Sequence, residues 1–313
     1  MPVRENEPRV FSPSEIMERG LELEGFTRYR QQKVNRDKNI QRFQNGYGSE
    51  PLVISLIWED LLKTKNLQAR IEGLAKKRLD CYLIAHHFLY KYPTFTTMSG
   101  QYNLDEGTVA EWCWYFVDRI QALAAEKIVW PEEWGKDDCP ITFLYSVDGK
   151  HCRIQEPKHD RWSKNPKAAS HKDKHAAYNW ELALSLWEPK LVWMKGPKLA
   201  GTHDITVFRG GDGSDGPSLK EKTPKGKKGI ADLGYRGEKE LLSVPNSHDP
   251  EELRKFKSRA RARQESFNGR ITFFNVIGHV FRHKEVEKHE KCFKAVCVIV
   301  QYQMENGHPI FDN

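Results

Sequence analysis

Three carboxylates stand at positions from which a folded chain can gather them: Asp148 at the end of an alternating apolar run, Asp232 at the end of another, and Glu265 inside RARARQESFNG. In a mixed α/β sheet the ends of neighbouring strands converge, so acids remote in sequence can share one pocket. Like charges so placed repel unless a cation lies among them. Oxygen donors without histidine or cysteine at metal-binding spacing point to Mg²⁺ or Mn²⁺ rather than zinc. Two such ions suit in-line displacement at a phosphodiester, one activating the attacking oxygen and one stabilising the departing one. A plainer reading stays open. An acid on a cationic helix is commonly a solvated partner one turn away, here for Arg261, and an aspartate beside glycine is commonly a turn residue.

The elements that must hold these acids follow from periodicity. ITFLYSVDG alternates Ile141, Phe143, Tyr145 and Val147 and predicts a first strand ending at Asp148. YNWELALSLWEPKLVWMKGP predicts two more, broken at Glu188 and Pro189, and KGIADLGYRG a fourth with Asp232 at its end. From about Asp249 to Phe274, Leu253, Phe256, Ala260, Phe267, Ile271 and Phe274 follow three-and-four steps and predict one apolar helix face. Glu265, two residues from Phe267, then points roughly 160° away from that face. Lys257, Arg259, Arg261 and Arg263 make the same helix cationic, a surface that draws a phosphate backbone towards the acid.

Ahead of the strands lies an all-α region, residues 51–135, with Val53, Leu56, Ile57 and Leu61, then Leu79, Leu83, Ile84 and His87, then Val109, Trp112, Phe116 and Ile120 at helical spacing. Within it YPTFTTMSGQYNLDEGTVAEWCWYFVDRI has the layout of a short helix, a turn containing glycine and a second helix opened by Asp105 or Thr108. Helix-turn-helix units and ordinary helical hairpins share that layout. Residues 1–50 are polar and basic and predict a solvated arm with some helix. Residues 140–313 form the predicted α/β domain. Its polar inserts are KHDRWSKNPKAASHKDKH, whose Lys172, Lys174 and His175 can grip a strand or simply face water, and RGGDGSDGPSLKEKTPKGKKG, which reads as a mobile basic loop.

Composition frames these readings. The chain has 313 residues, net charge +7, a pI near 8.9, 38% hydrophobic residues and a mean hydropathy of −0.72, so several polar segments lie outside any core and acidic partners are favoured. Six cysteines without a Cys-x-x-Cys pair signal neither a zinc module nor a disulfide framework, and they read as reduced buried thiols. With no apolar N-terminal run and no window of 18 apolar residues, the expectation is a soluble intracellular protein without membrane attachment.

SVDGKHCRIQEP, KLAGTHDITVFR, KGIADLGYRG and RARARQESFNGRITFF occur in the order found in the DDE superfamily endonuclease domain, and over residues 140–310 the chain resembles Harbinger (PIF)-type transposases. The resemblance implies an RNase H-like mixed sheet with flanking helices, preceded by an all-α helix-turn-helix-type domain. It implies metal-dependent DNA cleavage and strand transfer, with Asp148, Asp232 and Glu265 as the catalytic, metal-binding acids for two Mg²⁺ or Mn²⁺ ions. Arg261-x-x-x-Glu265 resembles part of the insertion-sequence signature, but Ser258 and Thr272 stand where its Tyr and Lys would fall. Lys257, Arg259, Arg261, Arg263, His203 and Lys172 are the expected DNA contacts. Asp204 competes with Asp232 for the second acid; preceding a helix, it is read as an N-cap. His151, beside Cys152, is read as a core residue, with a DNA contact as the alternative. Implied partners are DNA at element termini and target site, with a Myb-like accessory protein and a homo-oligomer as further options. KEKTPKGKK and RKFKSRARAR resemble nuclear localisation signals, the second reading rather as a DNA-facing helix, and the nucleus is the expected compartment. A domesticated descendant that binds DNA or protein without cutting is the alternative.

Overall fold

The computed structural model describes residues 9–64, 78–156, 168, 175–211 and 216–311, and it divides into two compact units. Lys172 and Lys174 fall outside the described residues. Among the described residues no helix is long and apolar enough to cross a membrane. All six cysteines are free thiols, and every one but Cys139 is buried.

One unit comprises Met1–Ala124, Phe273–Val276 and Lys291–Asn306. Its helices are α1 (Pro13–Leu23), α2 (Arg28–Gln32), α3 (Arg36–Tyr47), α4 (Pro51–Lys63), α5 (Arg78–Lys91), α6 (Phe95–Tyr102) and α7 (Glu106–Ala122). The segment expected as a solvated arm is thus folded from Pro13 to Tyr47. Ser12 closes a capping box with Glu15, and Asn35 caps α3 through Lys38 N. Ile16, Leu21, Phe43 and Tyr47 are fully buried. Few apolar residues suffice here because each sits at the contact between helices, while the basic residues take the outer face.

In the helix-turn-helix-shaped segment, Asp105 caps α7 by accepting from Gly107 N and Thr108 N. The reversal is made by Asn103 in the left-handed region (φ 51°), whereas Gly100, expected in the turn, lies inside α6. Helix α7 carries Glu106, Glu111 and Asp118 against Arg119 alone, a balance unsuited to a phosphate backbone.

The second unit comprises Ala125–Thr272, Ile277–Glu290 and Gly307–Asn313. Its centre is a five-stranded mixed sheet flanked by helices, with strands β1 (Phe143–Arg153), β2 (Ala177–Ser185), β3 (Leu191–Leu199), β4 (Lys228–Ala231) and β5 (Leu242–Ser243) in the order β3-β2-β1-β4-β5. The pairs β1–β2 and β2–β3 are antiparallel, and the pairs β1–β4 and β4–β5 are parallel. All nine residues of β2 are buried, as a central strand covered on both faces requires. One face packs on Trp134, Phe208, Leu219 and Tyr235, which join Tyr145, Val147 and Ala183 in one core. The other face receives α9 (Glu251–Thr272) through Ala260, Phe267 and Ile271. Between them in sequence, α8 (Asp204–Phe208) follows β3, and α10 (Val286–Glu305) closes the chain, its first residues in this unit and the rest in the helical one.

Part of the insert expected as a mobile loop is folded here. Ser218 caps a turn of helix over Leu219–Lys222, with Leu219 fully buried and Thr223 hydrogen-bonded to Tyr145 at 2.6 Å.

Candidate active site

The parallel pairing of β1 with β4 decides where the first two acids go. The last registered pair is Val147 with Ala231, so Asp148 and Asp232 are the next residues on two adjacent, co-directional strands. Both lie on the sheet face that α9 covers, because Val147 and Ala231 point into the opposite core.

Helix α9 is fixed to β1 by three regularly spaced bonds. Ser146 Oγ donates to Gln264 Oε1 at 3.0 Å, Asn268 Nδ2 donates to Asp148 Oδ2 at 2.9 Å, and Lys150 Nζ donates to Thr272 Oγ1 at 2.7 Å. The spacing works because two strand residues advance ~6.6 Å and four helical residues ~6 Å, so every second residue of β1 meets every fourth of α9. Glu265, next to Gln264, is thereby set at the mouth of the groove beside Asp148.

Asp148, Asp232 and Glu265 line one cleft of about 210 Å³ together with Ser146, Gln264 and Arg261. Asp148 Oδ1 accepts from Gly149 N at 2.9 Å, and Asp232 Oδ1 accepts from Gly234 N at 2.8 Å and opens the short 3-10 helix Leu233–Tyr235. Glu265 is exposed and forms no hydrogen bond or ion pair among the described residues, and neither does Arg261 one turn earlier. The pairing of these two, the plain reading of the acid, is not formed. The donor set is carboxylate oxygen alone, which fits a hard divalent cation. Among the described residues no three Asp, Glu, His or Cys side chains are already grouped closely enough to hold an ion.

Asp204 is not an N-cap: His203 occupies that place, and α8 has no side-chain cap bond. Its carboxylate is wedged against the same strand ends from the opposite sheet face. A β-carbon on Gly149 would meet Asp204 Oδ1 at 2.5 Å, and one on Gly234 would meet Asp204 Oδ2 at 3.1 Å and Asp232 Oδ1 at 3.0 Å. Asn179 Nδ2 donates to Asp204 Oδ1 at 3.0 Å. Burial, then the charge of Asp232, raises the Asp204 pKa against the Asn179 bond that lowers it. Tyr235, buried with its hydroxyl unpartnered, is held protonated first by burial and then by Glu181, Asp204, Asp148 and Asp232. Neither contact is visible in sequence; the one signal is glycine placed directly after Asp148 and two residues after Asp232, where side chains would collide with a fourth acid.

The expected DNA contacts separate. Lys257 is 4% exposed and donates to Val244 O at 2.8 Å and Asp249 Oδ2 at 2.7 Å, so it is a core cation and not a surface contact. Arg263 is half-buried, donates to Leu186 O at 2.9 Å and lies 3.5 Å from the centre of the Phe311 ring, and burial lowers its pKa. Arg259 is exposed and Arg261 enters the cleft. His203 is exposed at the start of α8, outside the cleft-lining set, and His151 is half-buried on β1 opposite Asn179.

In comparisons with known proteins, no family model matches the chain, and neither a curated protein nor a solved structure matches it.

Proposed function

We propose that the α/β unit is a DDE-type DNA endonuclease or transposase that cuts and joins DNA strands, built on an RNase H-like sheet. The single observation that carries this is the cleft in which Asp148, Asp232 and Glu265, from two strand ends and a helix, stand around one opening with Arg261. The strand order β3-β2-β1-β4-β5, antiparallel then parallel, is compatible with that fold.

Asp148, Asp232 and Glu265 would hold two Mg²⁺ or Mn²⁺ ions, which when bound supply an activated attacking oxygen and a stabilised leaving oxygen. The chain's own side chains do the positioning. Asn268 fixes the Asp148 carboxylate by its 2.9 Å bond, and Gly234 N fixes that of Asp232 at 2.8 Å. Arg261, without a competing carboxylate partner, meets the phosphate's charge. Arg259 adds electrostatic attraction for the strand from the exposed side of α9. DNA at element termini and target site is the substrate under this reading, with action in the nucleus. The strand-binding role falls to the α/β unit rather than to α7, whose charge is acidic. Of the two basic runs, RKFKSRARAR lies within α9, with Lys257 buried.

The test is incubation of purified protein with supercoiled plasmid in Mg²⁺ or Mn²⁺. Nicked circles should form, and Asp148→Asn and Glu265→Gln should each cut at least 100-fold more slowly. DNA bound but never nicked would favour the non-cutting descendant, and equal nicking by the variants would end the proposal.

A further inference from the structure

Beside the acidic cleft lies a second pocket of about 340 Å³, within the range of small-molecule sites. The two share Arg261. Leu233 and Pro245 give it an apolar wall, and Arg236, Arg254 and Arg261 surround it. Leu233 is 49% exposed, a large hydrophobe kept in water immediately after Asp232.

The charge of this pocket is uncompensated. Asp249 also lines it, but its carboxylate is taken by the ammonium of Lys257 at 2.7 Å, which neutralises both. Arg236, Arg254 and Arg261 form no ion pair or hydrogen bond among the described residues. Along α9, Arg254, Ser258, Arg261 and Glu265 recur at four, three and four residues, so one helix face ~16 Å long carries the arginines and the acid together. The turn after β4 passes between the same two sites in the opposite order, with Asp232 in the cleft and then Leu233 and Arg236 in the pocket.

We propose that this pocket holds one unstacked nucleotide of the DNA strand next to the phosphodiester in the cleft, its base against Leu233 and Pro245 and its phosphate among Arg236, Arg254 and Arg261. This deepens, and rests on, the reading of the cleft as a phosphodiester site. A guanidinium fork matches phosphate oxygens in pairs and also stacks on a base, so three arginines on an apolar wall recognise both halves of a nucleotide. A bare anion would leave Leu233 unused. A base still stacked in a duplex cannot reach a pocket, so occupation requires the nucleotide to leave the stack.

The experiment uses the full chain in EDTA and a fluorescein-labelled single-stranded oligonucleotide, with dAMP, deoxyribose 5-phosphate and inorganic phosphate as competitors. dAMP should displace the oligonucleotide at a concentration at least tenfold lower than deoxyribose 5-phosphate. Arg236→Gln, Arg254→Gln and Leu233→Ser should each weaken dAMP at least fivefold, whereas Asp148→Asn and Glu265→Gln should leave dAMP binding unchanged. If dAMP competes no better than inorganic phosphate, or the three pocket variants bind it as the parent does, the proposal is overturned. Loss of nicking with intact dAMP preference would sink the cleft reading alone, and nicking without that preference would sink this one alone.

Discussion

Gly149→Ala tests whether Asp204 is where the geometry puts it. The added β-carbon would stand 2.5 Å from Asp204 Oδ1 and 3.1 Å from Asn179 Oδ1. A carbon–oxygen contact normally settles near ~3.3 Å or more, so the first approach is short by roughly 0.8 Å. The carboxylate has little room to retreat, since Asn179 holds the same oxygen at 3.0 Å. Overpacking of this kind costs about 1–3 kcal/mol. In an unobstructed strand the same change would stabilise by about 0.5–1 kcal/mol, because glycine loses more backbone freedom on folding. Asp204→Ala removes the obstruction, so Gly149→Ala should be destabilising in the parent and neutral or stabilising in the Asp204→Ala background. The difference is a coupling of about 1.5–4 kcal/mol. Native-state hydrogen exchange of the β1 amides in urea reads this for the sheet unit alone. A coupling under about 0.5 kcal/mol, which is the scatter of independent sites, would refute the wedge. Asp204→Asn separates shape from charge: the clash with the added β-carbon should persist, with the repulsion from Asp232 gone.

Other outcomes follow from the same side chains. Because the Asp204 pKa is raised, its contribution is present below the unfolded carboxylate range and is lost as pH rises through the folded value. Asp204→Asn should therefore stabilise the fold at pH 8 relative to the parent and have less effect at pH 3, as urea midpoints would show; equal effects at both would contradict it. Lys257→Met, leaving the half-buried Asp249 without its partner, should cost about 3 kcal/mol but leave the salt slope of DNA binding unaltered, whereas Arg259→Gln should reduce that slope by about 0.9 per lost phosphate contact and spare stability. The reverse pattern in titrations from 50 to 200 mM salt would restore Lys257 as a DNA contact. His86 and His289, buried and held neutral with pKa values pushed down to about 3, should destabilise the chain progressively as pH falls from 6.5, each by up to ~1.4 kcal/mol per unit. A flat unfolding midpoint between pH 6.5 and 4 would argue against both.

Much of the sheet is legible in the sequence because its signals are local. The alternation through Tyr145 and Val147 marks β1, Pro189 separates β2 from β3, and the apolar steps from Leu253 to Ile271 mark α9 within about two residues at each end. Parallel neighbours on either side of a topological change then bring Asp148 and Asp232 side by side without any local cue. Asp204 illustrates what local reading misses. Gly-Thr-His-Asp before a helix satisfies the pattern of a cap, yet its carboxylate bonds Asn179, 25 residues earlier, and fills the space beside Gly149 and Gly234. Residues 13–47 escape a reading by composition for a different reason. Their average polarity is high, and burial is decided by the few positions, Ile16, Leu21, Phe43 and Tyr47, that meet other helices.

The arginine run around Glu265 shows why composition overstates a surface. On a helix, residues two apart point about 160° from one another, so Arg261 cannot share a patch with Arg259 and Arg263. Arg261 faces the cleft, Arg263 crosses to Leu186 O and Phe311, Arg259 stays in solvent, and Lys257 is drawn inward to Asp249. What aligns with Glu265 is instead the wider series Arg254, Ser258 and Arg261, and Arg236 reaches the same pocket from the turn after β4. The acid thus has cations at one end of its groove and the Asp148–Asn268 bond at the other, an asymmetry that under the proposed function would orient a strand along α9 rather than across it. Exchanging Arg254 and Glu265 would keep the net charge and remove that polarity, so a charge-only account predicts unaltered oligonucleotide affinity and an oriented-groove account predicts its loss.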